Sequence, residues 1–114
     1  MIVKKEFGTT AGGEKVDLYT LKNSKETAVD IITYGATVNS IYTADKNGEF
    51  TDVLCGFDTI EGHEKYSNYQ GMTVGRYANR LADGEITVDG VKYDLVKNEK
   101  GKTCLHGGGE LSHA

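Results

Sequence analysis

The chain has 114 residues, 38% of them hydrophobic and 26% charged, with a net charge of -4 and a pI near 5.3. That balance suits one soluble globular domain with a modest core, excludes a disordered chain, and supplies no basic footprint for nucleic acid or an anionic membrane surface. No run of about 18 apolar residues is present, and MIVKKEFGTT lacks the apolar stretch of an export signal, so a cytoplasmic location is expected, with Cys55 and Cys104 reduced and buried.

Proline is absent and fifteen glycines carry the turns, a composition that favours an all-β architecture. Ile2 to Phe7 reads as a short edge strand, and Glu14 to Leu21 as a clearer one with Val16, Leu18 and Thr20 on one face. Thr27 to Tyr34 is the next strand, ended by Gly35; Ala36 to Tyr42 follows, with Val38 and Ser40 on one face and Ile41 on the other. Asp45-Lys46-Asn47-Gly48 is a turn, and Phe50 to Leu54 should pair back across it, which makes a meander. Asp58 to Tyr66 is the one helical segment, with Asp58 as the cap and Glu61 as the capping-box acid, while Ser67 to Met72 is a loop. Glu85 to Val88, Asp89-Gly90 and Val91 to Leu95 spell a hairpin. Lys97 to Lys102 is a charged loop, and Thr103 to His106 is short and extended, with Cys104 and His106 on the same side.

Several apparent motifs fail on spacing. Gly101-Lys102-Thr103 lacks the upstream glycine of a phosphate-binding loop, where Val96 stands. Cys104, His106 and His113 lack a fourth ligand at zinc spacing, so no metal is expected. His106-Gly107-Gly108-Gly109 resembles an esterase oxyanion hole, but no GxSxG nucleophile follows it. His63, set among Glu61, Glu64 and Lys65, reads as a solvated surface histidine, and the tyrosines at 34, 42, 66, 69, 77 and 93 as packing residues.

The segment from Gly75 to Gly109 holds both arginines, Arg76 and Arg80, and His106. Either guanidinium could simply pair with a surface carboxylate. The hairpin between these residues would nevertheless fold Asn79 and Arg80 toward His106, and an amide, a fork of N–H donors and an imidazole together suit the hydroxyls of a sugar.

The residues of YGATVNSIYTADKNGEFTDVLCGFD (Tyr34 to Asp58), GRYANRLADGEITVDGVKYDL (Gly75 to Leu95) and CLHGG (Cys104 to Gly108) resemble the N-terminal third of the aldose 1-epimerase (galactose mutarotase) family. The resemblance implies an antiparallel β-sandwich of the galactose mutarotase type, of which residues 1–114 are the N-terminal part of a single domain. It implies interconversion of the α and β anomers of hexoses such as galactose and glucose, with no cofactor. Asn79, Arg80 and His106 would bind the sugar, His106 in a supporting catalytic role on the ring-oxygen side, and Arg76 would be structural. The glutamate base and histidine acid of the family lie beyond Ala114, and His113 does not replace that acid. The chain alone is therefore expected to be inactive and to self-associate through open strand edges. A non-catalytic carbohydrate-binding or assembly module is the alternative.

Overall fold

The computed structural model describes residues 1–66 and 69–109, so His113 and part of the expected Ser67 to Met72 loop lie outside the described residues. The chain divides into two compact units, Met1–Thr73 and Val74–Ala114.

In the first unit, β1 (Ile2–Thr9), β2 (Lys15–Lys22), β3 (Ala28–Ile32), β4 (Thr37–Ala44) and β5 (Phe50–Asp52) form one antiparallel sheet in sequential order, the expected meander. Alternation decides its faces: Val16 and Leu18 of β2 and Ile32 of β3 are buried with Ile60, and Phe7 and Tyr34 pack against them. The Asp45 side chain organises the β4–β5 turn by accepting the N–H groups of Asn47 at 2.8 Å and Glu49 at 2.9 Å. Strand β1 lies at an edge as expected but runs for eight residues, because its pairing continues past a bulge between Glu6 and Gly8 as far as Thr9 and Lys15. That bulge, together with Lys4 and Lys5, is the kind of device that discourages edge-to-edge pairing.

A second bulge overturns the expected faces of β4. Asp30 faces Ser40 and Ile31 faces Val38, so Asn39 is the extra residue. The extra residue resets the alternation, and Thr37, Asn39 and Ser40 are all buried while Val38 is only half-buried.

The helix α1 (Ile60–Tyr66) is where expected, with a different cap. Thr59 Oγ1 accepts the Gly62 N–H at 3.3 Å, in place of Asp58. The Glu64 carboxylate accepts the Ala11 N–H at 3.0 and 3.2 Å, tying the helix to the β1–β2 turn.

His63 is not on the surface. Helical spacing puts it on the same side as Ile60, and it is 3% exposed, edge-on to Phe57 with ring centroids 5.0 Å apart and to Phe7 at 6.0 Å. Its Nε2–H donates to Asn39 Oδ1 at 2.7 Å, and Nδ1 is buried with no hydrogen-bond partner among the described residues. A second ring proton would therefore be a buried donor without an acceptor, and burial holds the His63 pKa below the ordinary value. Because the folded state binds that proton less readily than the unfolded state, its stabilising contribution is complete above the unfolded-state pKa of about 6.5 and declines as pH falls below it. Urea midpoints between pH 7.5 and 5 should fall with pH for the natural chain and fall less for His63→Gln; equal slopes would refute the assignment.

Cys104 is buried as expected, whereas Cys55 is exposed; both are free thiols. Tyr34 packs on the core, but Tyr42, Tyr66, Tyr77 and Tyr93 are exposed. No described helix is long and apolar enough to cross a membrane.

Among the described residues the second unit contains two short ribbons. One pairs β7 (Glu85–Val88) with β8 (Val91–Asp94) through Asp89 and Gly90, both at positive φ, 50° and 79°, as a tight two-residue hairpin turn requires. The other pairs β6 (Arg80–Leu81) with β9 (Cys104–Leu105).

Candidate functional site

The β6–β9 ribbon brings the candidate residues together. Arg80 faces Leu105 and Leu81 faces Cys104 in antiparallel register, so Asn79, just before β6, and His106, just after β9, leave the ribbon at the same end. Both adopt the left-handed conformation, with φ of 64° and 51°, which asparagine and histidine tolerate better than most side chains. His106 is thus not an extended residue sharing a face with Cys104; the chain turns at it.

The two turns are joined by a reciprocal pair of hydrogen bonds. The His106 N–H donates to the Asn79 carbonyl at 2.9 Å, and the Asn79 N–H donates to His106 Nδ1 at 3.0 Å. An imidazole that accepts at Nδ1 carries its proton on Nε2, so the backbone of Asn79 selects the tautomer of His106. At the next residue the Gly107 backbone lies against the Gly75–Arg76 peptide, where an added Cβ would sit 2.6 Å from the Gly75 carbonyl oxygen.

Arg80 is held on three sides. Its Nε–H donates to Glu99 Oε2 at 2.7 Å, one Nη2–H to Glu99 Oε1 at 2.6 Å, and one Nη1–H to Asn79 Oδ1 at 3.1 Å. The expected pairing of an arginine with a carboxylate and the expected gathering of Arg80 with Asn79 and His106 therefore both occur. The hydrogen bond from Arg80, more than the accompanying charge attraction, holds the Glu99 carboxyl below its usual range, and the same bond raises the guanidinium.

Sequence reasoning does not single out Asn98 and Glu99 within the charged loop of residues 97 to 102. The signal available was thin: Glu99 is the only carboxylate between Asp94 and Glu110. The Asn98 amide grips β9 from the side, with Nδ2–H donating to the Leu105 carbonyl at 2.9 Å and Oδ1 accepting the Leu105 N–H at 2.7 Å. Adjacent side chains thus hold the two strands, Asn98 on Leu105 and Glu99 on Arg80.

Arg76 stands apart from this set and lines an apolar hollow of about 260 Å³ with Tyr77, Leu81, Ile86, Leu95 and Cys104. Among the described residues no group of three histidine, cysteine, aspartate or glutamate side chains is placed to hold a metal ion. The third residue of the rejected zinc set, His113, lies outside the described residues. The cluster is a set of fixed N–H donors at the end of a two-stranded ribbon, suited to binding hydroxyl oxygens.

Comparison with known proteins agrees with this reading of the fold. The aldose 1-epimerase family pattern matches residues 17–112. Galactose mutarotase from Bos taurus is 41% identical over 97 residues, covering 85% of this chain and 28% of the bovine protein. The Homo sapiens galactose mutarotase is 39% identical over 98 residues, again 28% of that protein. The chain therefore spans less than a third of the length of these relatives. Among solved structures, an aldose epimerase homologue from C. elegans superposes with a TM-score of 0.77 at 34% identity, over 85% of this chain and 30% of that one. Galactose 1-epimerase from Lactobacillus acidophilus does so with a TM-score of 0.71 at 25% identity, over 95% and 30%. The fold class is the expected antiparallel β architecture of the galactose mutarotase type, with one short α-helix among the described residues.

Proposed function

The chain belongs to the aldose 1-epimerase family, and from that premise we propose that residues 1–114 are the N-terminal, sugar-holding part of a single β-sandwich domain that interconverts the α and β anomers of hexoses such as galactose and glucose in the cytoplasm. In such a reaction a base removes the proton of the anomeric hydroxyl and an acid protonates the ring oxygen. The ring opens, the aldehyde rotates, and closure occurs on the other face. Asn79 and Arg80 hold sugar hydroxyls, and His106 approaches the ring-oxygen side.

The observation that carries this assignment is the 3.0 Å bond from the Asn79 N–H to His106 Nδ1. It puts the imidazole proton on Nε2, and a ring oxygen needs a donor. Glu99 is poorly suited to be the base, because both of its oxygens are hydrogen-bonded to Arg80 and its basicity is lowered by that contact. By the family resemblance the proton-transfer pair belongs to sequence outside these 114 residues, so the chain alone should bind without catalysing.

Adding galactose to the isotopically labelled chain should shift the resonances of Asn79, Arg80 and His106, and His106→Ala should weaken binding about tenfold, as loss of one well-aligned hydrogen bond of about 1.4 kcal/mol would do. Polarimetry should show galactose mutarotation at its spontaneous rate. Acceleration that is lost in His106→Ala would overturn the assignment of catalysis elsewhere, and an absence of shifts at all three residues would overturn the sugar site. A chimera that joins residues 1–114 to the remaining sequence of a galactose mutarotase separates a part of an epimerase, which should then accelerate mutarotation, from a stand-alone binding module, which should still bind without acceleration.

A further inference from the structure

Glu99 reaches the candidate site through a turn that its own backbone closes. Its N–H donates to the Thr103 carbonyl at 3.1 Å, and its carbonyl accepts the N–H groups of Lys102 at 3.0 Å and Thr103 at 3.1 Å. Lys100 and Gly101 make the reversal, with φ of 52° and 64°. The side chain is thereby left to Arg80, and the carboxylate is the less exposed partner, at 21% against 56% for the guanidinium. A carboxylate that meets Nε–H and Nη2–H together fixes both the plane and the position of the fork. Three of the five guanidinium N–H groups are committed to Glu99 and Asn79. The other two have no acceptor among the described residues.

We infer that Glu99 is a positioning residue of the sugar site that also sets its charge preference: the carboxylate aims Arg80 and cancels its charge, so the pair offers directed N–H donors to hydroxyl groups and disfavours an anionic sugar. The inference rests on the sugar reading above. Two physical effects lead to it. A guanidinium locked before the ligand arrives loses little side-chain freedom on binding, which favours weak, directional hydroxyl contacts. A carboxylate or phosphate on the ligand would meet the Glu99 charge beside the only N–H groups left to it, and its attraction to Arg80 would be offset by repulsion from Glu99.

The test uses the whole chain and two probes, galactose and galacturonate, with binding followed by the Arg80 side-chain and Asn79 and His106 amide resonances. Natural protein should bind galactose more tightly than galacturonate. Glu99→Gln keeps the size of the side chain and its place in the turn but removes the charge. It should weaken galactose about five- to tenfold and raise the galacturonate-to-galactose affinity ratio about tenfold, since one charge beside the ligand has been removed. Glu99→Asp, which keeps the charge but shortens its reach, should weaken galactose without inverting the preference. A residue that served only to stabilise the loop would lower both affinities together and leave the ratio unchanged.

Unchanged Leu81 and Cys104 amide resonances establish that the ribbon survives in the variants. If Glu99→Gln does not fold, the aspartate variant and the natural protein's preference between the two probes decide. The inference is overturned if galactose binds at Asn79, Arg80 and His106 and the affinity ratio stays within about twofold when Glu99 is replaced, or if natural protein prefers galacturonate. Failure of the sugar reading looks different: natural protein would show no galactose response at any of the three residues, and the role of Glu99 would fall with it.

Discussion

Alanine at Gly56 should destabilise the Met1–Thr73 unit by about 3 kcal/mol or more, among the largest effects a single methyl group can have. A Cβ at this position would fall inside the contact distance of the Asn39 backbone carbonyl oxygen and 3.0 Å from its side-chain Oδ1. Neither neighbour can yield cheaply. Asn39 is the bulged residue of β4, and its Oδ1 accepts both the His63 Nε2–H and, at 3.4 Å, the Phe57 N–H. Pushing Asn39 away would strip His63 of its hydrogen bond when Nδ1 already lacks one, leaving a buried ring with neither nitrogen satisfied. Urea denaturation gives the loss in midpoint, and amide exchange should show it at Ile32 and in α1. A change below about 1 kcal/mol would mean that the Gly56–Asn39 approach relaxes without cost.

Alanine at Gly107 should cost about 2 to 4 kcal/mol and abolish most of the sugar binding, a loss of tenfold or more. Two effects add. The residue has φ of 81°, where an L side chain is strained by about 1 to 2 kcal/mol. Its Cβ would also lie 2.6 Å from the Gly75 carbonyl oxygen and 3.4 Å from the Arg76 nitrogen, so the backbone must separate. His106 is the preceding residue, and its bonds to Asn79 depend on where this turn sits. Gly101→Ala is the internal comparison, because φ there is 64° but nothing lies within 4 Å of an added Cβ. It should show the conformational cost alone, as a smaller loss of stability. Equal losses for the two variants would remove the close approach of residues 75 and 107 as the cause.

Much of the strand framework was legible because the forces that specify it are local. Val16 and Leu18 announce a buried face by alternation, and Asn47-Gly48 and Asp89-Gly90 announce reversals by their tolerance of unusual backbone angles. The gathering of Asn79, Arg80 and His106, the candidate site, was legible in a different way, through side-chain chemistry and the family resemblance. What escaped were residues whose roles depend on partners far away in the chain. His63 looked solvated because its sequence neighbours are charged, yet its helical position turns it toward Phe7, Phe57 and Asn39. Glu99 looked like one charge in a loop until the turn at Lys100 and Gly101 set it on Arg80.

The sequence by itself determined the antiparallel meander, the Asp89-Gly90 hairpin, the family and the donor types available to a ligand, because alternation, turn propensity and side-chain chemistry are properties of residues and their near neighbours. Tertiary structure alone decided which donors are aimed and which are occupied. The bulge at Asn39 resets the faces of β4, and the pairing of Arg80 with Leu105 sets the Asn79 N–H on His106 Nδ1. The physical reason is register: a shift of one residue exchanges the two faces of a strand, and only long-range pairing decides that shift.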